Sequence, residues 1–195
     1  ADLLTALDAV GLPLADIDLF AVAAGPGSFT GLRIGMATMQ GLALVNARKI
    51  VPVSALEALA SSVGDARAPG SRVGVWMDAF RRDVFSALYL IADGADRDPT
   101  AVKEIDAASV APPHAVWTRW TAEGRAPDVM AGDGAVLYRA TYDAGVPTIP
   151  PPLIAGTIAR IAARIAQAGG AVHPAAVQPL YVRRPDPEGA RDDTR

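Results

Sequence analysis

The sequence predicts an α/β fold, and three observations carry that prediction. Over the first third, short unbroken apolar runs alternate with stretches of helical periodicity, the rhythm of a layered α/β unit. In the middle, two strand-like runs flank a short polar turn, as an antiparallel hairpin does. A strongly amphipathic helix pattern then occupies residues 153–168. The chain has 195 residues, 51% apolar and 20% charged. That is enough to bury a core in one domain or two small ones.

Leu3, Leu4, Leu7 and Val10 recur at helical spacing, and Gly11 with Pro13 ends that helix. LFAVAAG (19–25) reads as a buried strand. After the loop GPGSFTG (25–31), a helix is predicted from Gly31 to Asn46, then a strand at KIVPV (49–53). Ser54 with Glu57 three residues on forms a capping box, which starts a helix that runs to Gly64. RVGVWMDA (72–79) and DVFSALYLI (83–91) form the hairpin. A Pro, Gly and Asp-rich stretch follows at 92–99, and residues 107–127 read as an irregular helical region. DVMAGDGA (128–135) is a strand ending in a turn. In 153–168, Ile154, Ile158, Ile161 and Ile165 share one face, Arg160, Arg164 and Gln167 the other, and Gly169 with Gly170 caps the end. From Arg183 the chain is a polar tail, expected to fray. No internal repeat is visible.

The net charge is −3, and Lys and Arg are scattered, so no direct nucleic-acid binding is expected. The absence of cysteine removes disulfides, thiolate chemistry and cysteine-built zinc sites, and fits a reducing, cytoplasmic setting. No apolar stretch reaches the ~18–20 residues of a membrane span. No signal-peptide pattern opens the chain. Because Ala1 falls inside a helix-like pattern, the natural protein is expected to begin earlier.

The glycine loop sits between a strand and a helix, where free backbone N–H groups can hold an anion. It fits no standard phosphate signature. Leu32-Arg33 stand where a Walker A motif needs Lys-Ser/Thr, and Gly25, Gly27 and Gly31 are spaced one residue too widely for a dinucleotide fingerprint. A nucleophile elbow needs Gly two residues before its Ser, and Pro26 stands there before Ser28. Two readings remain: a turn in which Ser28 or Thr30 caps the helix, or phosphate contact through Gly25, Gly27, Ser28, Thr30 and Gly31. The following helix carries no charge from Ile34 to Val45, and Gly35, Ala37, Gly41 and Ala43 keep its surface thin. A helix apolar on nearly every side must be covered on nearly every side, within its own core or by another subunit.

Other chemistry is sparse. Asp78 and Asp133 follow strands, where α/β sheets place ligand groups, but strand-end Asp is also a common turn former. His114 and His173, the only histidines, lie far apart, so no metal site is expected. Trp76, Trp117 and Trp120 read as packing residues and Arg81-Arg82 as a solvated turn. No nucleophile, base and orienting group assemble.

AAGPGSFTGLRIGMATMQGLAL (23–44) resembles the signature of the TsaB (YeaZ) family of tRNA threonylcarbamoyladenosine synthesis. VPVSALEALA (51–60), DAFRRDVFSALY (78–89) and QPLYVRR (178–184) resemble it in the same order, with AGDGAVLY (131–138) a weaker match. The resemblance implies an actin/Hsp70-like fold of two ribonuclease-H-like lobes. The first is expected at 1–58, incomplete because the family's N-terminal strands are absent from this chain, the second at 59–182, with a tail at 183–195. It implies a non-catalytic subunit that activates TsaD, with the ATPase TsaE joining, and a homodimer when alone. It places the grip on Leu32, Gly35, Met36, Met39, Leu42 and Ala43, with Leu3 and Leu7 beside them. No cofactor is expected on the chain alone, with ATP or ADP at the partner interface. The rival is an enzyme acting alone, a glycoprotease-like hydrolase or nucleotide-dependent transferase. A dinucleotide-binding module is a third class, against which the misfit at Gly31 speaks.

Overall fold

The computed structural model describes residues 2–64, 66–92 and 102–182. α1 (Asp2–Ala9) leads through a 3-10 turn to β1 (Leu19–Gly25), α2 (Phe29–Val45), β2 (Lys49–Ser54) and α3 (Ala55–Gly64). Then come β3 (Arg72–Asp78), β4 (Val84–Ile91), β5 (Val102–Ala111), α4 (Pro113–Ala122), β6 (Val129–Ala131), α5 (Asp133–Leu137), β7 (Thr148–Ile149) and α6 (Ala155–Gln167). The unbroken apolar runs became strands because both faces of each sheet are covered. On β1, Phe20, Val22 and Ala24 pack toward α2, while Leu19, Ala21 and Ala23 pack toward α6.

The described residues form two sheets. β1 and β2 form a parallel pair in which Phe20 aligns with Ile50. The second sheet has the order β5-β4-β3-β6-β7. Its first three strands are antiparallel neighbours, and β6 and β7 are added in parallel. Parallel neighbours need a crossover connection: α2 supplies it between β1 and β2, α5 between β6 and β7, and β3 reaches β6 by way of β4, β5 and α4. The two strand–helix–strand units therefore repeat in architecture, although α2 has 17 residues and α5 has 5.

α3 joins the two halves. Leu56, Leu59, Ala60 and Val63 pack on Val73, Val75 and Tyr89 of the second sheet, while Ala58 points into the cluster of Val51, Val53 and Ile161. The other face of the second sheet buries Trp76, Leu88 and Met130 against Val116 and Trp120 of α4. α6 lies on the first sheet, and Val172 bridges to Ile50. The boundary expected at 58/59 thus cuts through a shared helix, and residues 155–182, expected in the second lobe, pack with the first.

Two local expectations are corrected. The irregular helical region at 107–127 is the end of a strand followed by a helix, separated at Pro112-Pro113. Pairing with β4 draws 102–111 into the sheet despite its Ala, Ser and Asp content, and Pro113 takes a first-turn position that needs no N–H. The capping box is half made: Ser54 Oγ accepts the Glu57 N–H at 3.4 Å, but the Glu57 carboxylate accepts from Arg164 at 3.2 Å instead. Arg164 is accordingly half-buried against α3 rather than simply solvated. The predicted loop residues 93–99 and the tail 183–195 lie outside the described residues.

Candidate functional site: an apolar helix face and an adjoining cleft

α2 begins where Ser28 turns the chain out of β1. Ser28 Oγ accepts the Gly31 N–H at 3.4 Å, and its carbonyl accepts the Leu32 N–H at 2.8 Å. Ser28, not Thr30, is therefore the cap. The helix then presents two very different faces. Met36 is 3% exposed and Ala43 is fully buried, both packed with Phe20, Val22 and Ile50. Met39 and Leu42 are half-buried against the same cluster. The opposite face carries Ile34, Ala37, Gly41, Leu44 and Val45, all exposed, with Ile34 at 63% and Val45 at 87%.

The grip inferred for this helix needs correcting at two positions. Met36 and Ala43 touch their own sheet and cannot also touch a partner. Periodicity could not have shown this, because a helix apolar on every side has no phase. The contact-capable residues the sequence reading missed are Ile34, Leu44 and Val45. The signal for them was the absence of charge from Ile34 to Val45. Gly35 remains available: it is exposed, and a Cβ there would meet nothing within 4 Å. Beside it runs a groove of ≈ 630 Å³ between α1, α2 and α6, lined by Leu3, Thr38, Met39, Ile158 and Ala159 over the β1 face. Leu3 is 42% exposed and Leu4 51%, while Leu7 is half-buried.

At its other end α2 borders a cleft of ≈ 440 Å³, walled by the glycine loop, the β3–β4 turn and the segment 180–182. Phe29, Leu32, Phe80, Arg81, Phe85 and Tyr181 line it. Of the loop residues considered for phosphate contact, Ser28 and Gly31 bond to each other and Gly25 is buried beneath Leu32 and Leu180. Gly27 and Thr30 stand on the cleft wall. Phe29 and Tyr181 stack at 5.7 Å, and the Arg33 guanidinium lies 3.9 Å from the Phe29 ring centre while its Nε donates to Tyr181 Oη at 3.1 Å.

The β3–β4 turn is strained. Phe80, Arg81 and Arg82 have φ of 57°, 54° and 67°, a region that non-glycine residues seldom occupy. The acids there do structural work: Asp78 Oδ1 accepts the Phe80 N–H, and Asp133 Oδ1 accepts from Asp78 N and Gly134 N. Burial first, then the charges of Asp78 and Asp83, push the nearby Tyr138 phenol up, with Arg82 opposing. The turn is therefore balanced in charge rather than cationic. His173 Nδ1 accepts the Ala175 N–H and caps a 3-10 turn, and His114 lies exposed on α4. Trp76 and Trp120 are fully buried, and Trp117 is half-buried. Among the described residues no three His, Cys, Asp or Glu come together as a metal site, and no helix is long and apolar enough to cross a membrane.

Three antiparallel strands continued by two parallel ones make a ribonuclease-H-like sheet, and a second strand–helix–strand unit joined to it through α3 defines an actin-like protein. A family model described as TsaD, tRNA N6-adenosine threonylcarbamoyltransferase, matches residues 3–114. An uncharacterised protein of Mycobacterium tuberculosis is 32% identical over 188 residues, covering 95% of this chain and 73% of that protein. The tRNA threonylcarbamoyladenosine biosynthesis protein TsaB of Escherichia coli is 32% identical over 154 residues, 68% of this chain and 62% of that protein. YeaZ from Pseudomonas aeruginosa, a solved structure, aligns with a TM-score of 0.73 at 27% identity, over 90% of this chain and 79% of that one. The chain belongs to the TsaB (YeaZ) family.

Proposed function

We propose that this chain serves tRNA threonylcarbamoyladenosine biosynthesis as a non-catalytic accessory subunit. It grips a TsaD-type partner through the outer face of α2 with α1 beside it, pairs with a second copy when alone, and is joined in the complex by TsaE. The observation that carries this reading is the exposed row of Ile34, Ala37, Gly41, Leu44 and Val45 on a helix without a charge from Ile34 to Val45. An apolar row of this length is what subunit interfaces bury, and the glycines let a partner helix approach closely. An accessory role is favoured over catalysis because Asp78 and Asp133, the strand-end acids, each use Oδ1 to hold a turn through backbone N–H groups. Any nucleotide of the complex is assigned to the partner interface.

The test is reconstitution of threonylcarbamoyl transfer to tRNA from TsaD and TsaE, with this protein added, omitted, or replaced by Ile34→Glu or Gly35→Arg. Transfer that depends on the protein and is lost in both variants supports the reading. Transfer that proceeds equally without it, or turnover by the protein alone, overturns it in favour of an independent hydrolase or transferase.

A further inference from the structure

The segment after α6 does more than close the first sheet. Its inner end is anchored: Val177 is buried beside Phe20 and Met36, and Gln40 Nε2 donates to the carbonyls of Pro174 at 2.8 Å and Val177 at 3.1 Å. Its outer end crosses the glycine loop, where Leu180 N donates to Ala24 O at 2.7 Å. There Tyr181 meets the first turn of α2 twice, stacking on Phe29 and accepting from Arg33. Phe29 and Arg33 are four residues apart on α2, so Tyr181 spans one helical turn. Leu180, Tyr181 and Val182 also line the cleft opposite Ala79, Phe80 and Arg81.

We propose that residues 174–182 are a strap and that Tyr181 is its latch, a positioning residue that fixes the glycine loop and first turn of α2. The inner end is held by buried contacts, whereas Tyr181 is 40% and Phe29 45% exposed. The outer end therefore opens first, since local opening begins where apolar burial is least. Releasing it uncovers Gly25, which the Leu180 carbonyl and the Leu32 side chain flank, and loosens the turn that carries Ile34. An occupant of the cleft that displaces Tyr181 breaks its ties to Phe29 and Arg33 and so loosens the first turn of α2. The consequence for pairing rests on the partner-interface reading; the mechanical claim does not.

Amide hydrogen exchange on the wild type, Tyr181→Ala and Tyr181→Phe decides the mechanical claim. Tyr181→Ala should speed exchange at Leu32, Arg33 and Ile34 by about three- to tenfold, the worth of an aromatic contact with its cation. Tyr181→Phe, which keeps the stack, should fall between, with the amides of α6 unchanged. Exchange at those three positions unchanged to within about twofold, or raised uniformly across the chain, overturns the latch. In a pairing assay with the TsaD-type partner, Tyr181→Ala should weaken affinity, by at most the factor seen in exchange, with Phe restoring part of it. Faster exchange with unchanged affinity overturns the coupling to α2. Failure of the wild type to pair sinks the interface reading instead, and the exchange result still decides the latch.

Discussion

Asp106 on β5 receives both prongs of the Arg119 guanidinium from α4, Nη1 to Oδ1 at 2.6 Å and Nη2 to Oδ2 at 2.8 Å. The Trp120 indole N–H donates to the same carboxylate at 2.9 Å, so an edge strand is clamped to the helix that follows it. Partial burial pushes the Asp106 carboxyl up, but hydrogen bonds from Arg119 and Trp120 and the charges of Arg119 and Arg125 outweigh it, leaving the group below its ordinary 3.8. A depressed native value means the unfolded chain takes up the proton first. The stabilisation is present above 3.8 and is lost as the pH falls through the native value. Asp106→Asn should cost about 1–3 kcal/mol at neutral pH, since Asp106 is 11% exposed but Arg119, at 39%, is partly screened by water. Urea unfolding across a pH series checks this, and an acid-side slope identical in variant and wild type would refute it.

Glu57 titrates with the opposite sign. Burial between α3 and α6 pushes its carboxyl up, and the charge and hydrogen bond of Arg164 recover only part of that. With the native value raised, its stabilising contribution is complete below 4.5 and is lost as pH rises through the native value. Glu57→Gln should therefore flatten the decline in stability above pH 4.5, because the amide does not ionise yet keeps an oxygen that can accept from Arg164. Thermal unfolding at several pH values reads the difference. A variant that declines as steeply as the wild type would show that Arg164 already neutralises the burial cost.

Why some of this was legible in advance is a matter of range. β1, β2 and the first three helices were readable because apolar runs, Ser28 and the Ser54–Glu57 spacing act within a few residues. β5 was not, because VKEIDAASVA carries little strand propensity and is held by β4 across the sheet. The return of α6 to the first sheet was hidden for another reason: an amphipathic stripe says which residues are buried, not which surface buries them. α2 shows the limit most clearly. Its uniform apolarity announced an unusual helix, yet uniformity erased the phase that separates Met36 from Ile34. The Phe29–Arg33–Tyr181 contact joins residues 148 positions apart and left no local trace.

Gly132 should prove the least replaceable turn residue. It has φ of 107°, and a Cβ there would sit 2.2 Å from the Trp76 carbonyl oxygen. β6 must pass this close to β3 for Asp133 to reach the backbone N–H of Asp78. Gly132→Ala combines forbidden backbone geometry with a clash against backbone, which has no rotamer to yield. The expected loss is about 3 kcal/mol or more, read by urea unfolding. A loss below about 1 kcal/mol would mean the two strands part easily, and with them the turn facing the cleft.

Ile34 and Met36 provide the sharpest separation of fold from function. They lie two residues apart on α2, at 63% and 3% exposure. Met36→Glu drives a carboxylate among Phe20, Val22 and Ile50 and should cost about 4 kcal/mol or more, enough to unfold a marginally stable chain. Ile34→Glu adds charge to a surface already wet in the isolated chain and should shift stability by no more than about 0.5 kcal/mol. Its effect should appear in association, because a partner that covers the α2 face must bury that carboxylate unpaired. Thermal unfolding combined with sedimentation separates the two. Ile34→Glu should melt like the wild type and fail to associate, whereas Met36→Glu should melt early or not fold. If Ile34→Glu associates normally, the partner lies elsewhere on the chain. If Met36→Glu folds with wild-type stability, α2 is not packed on the first sheet as the structure has it.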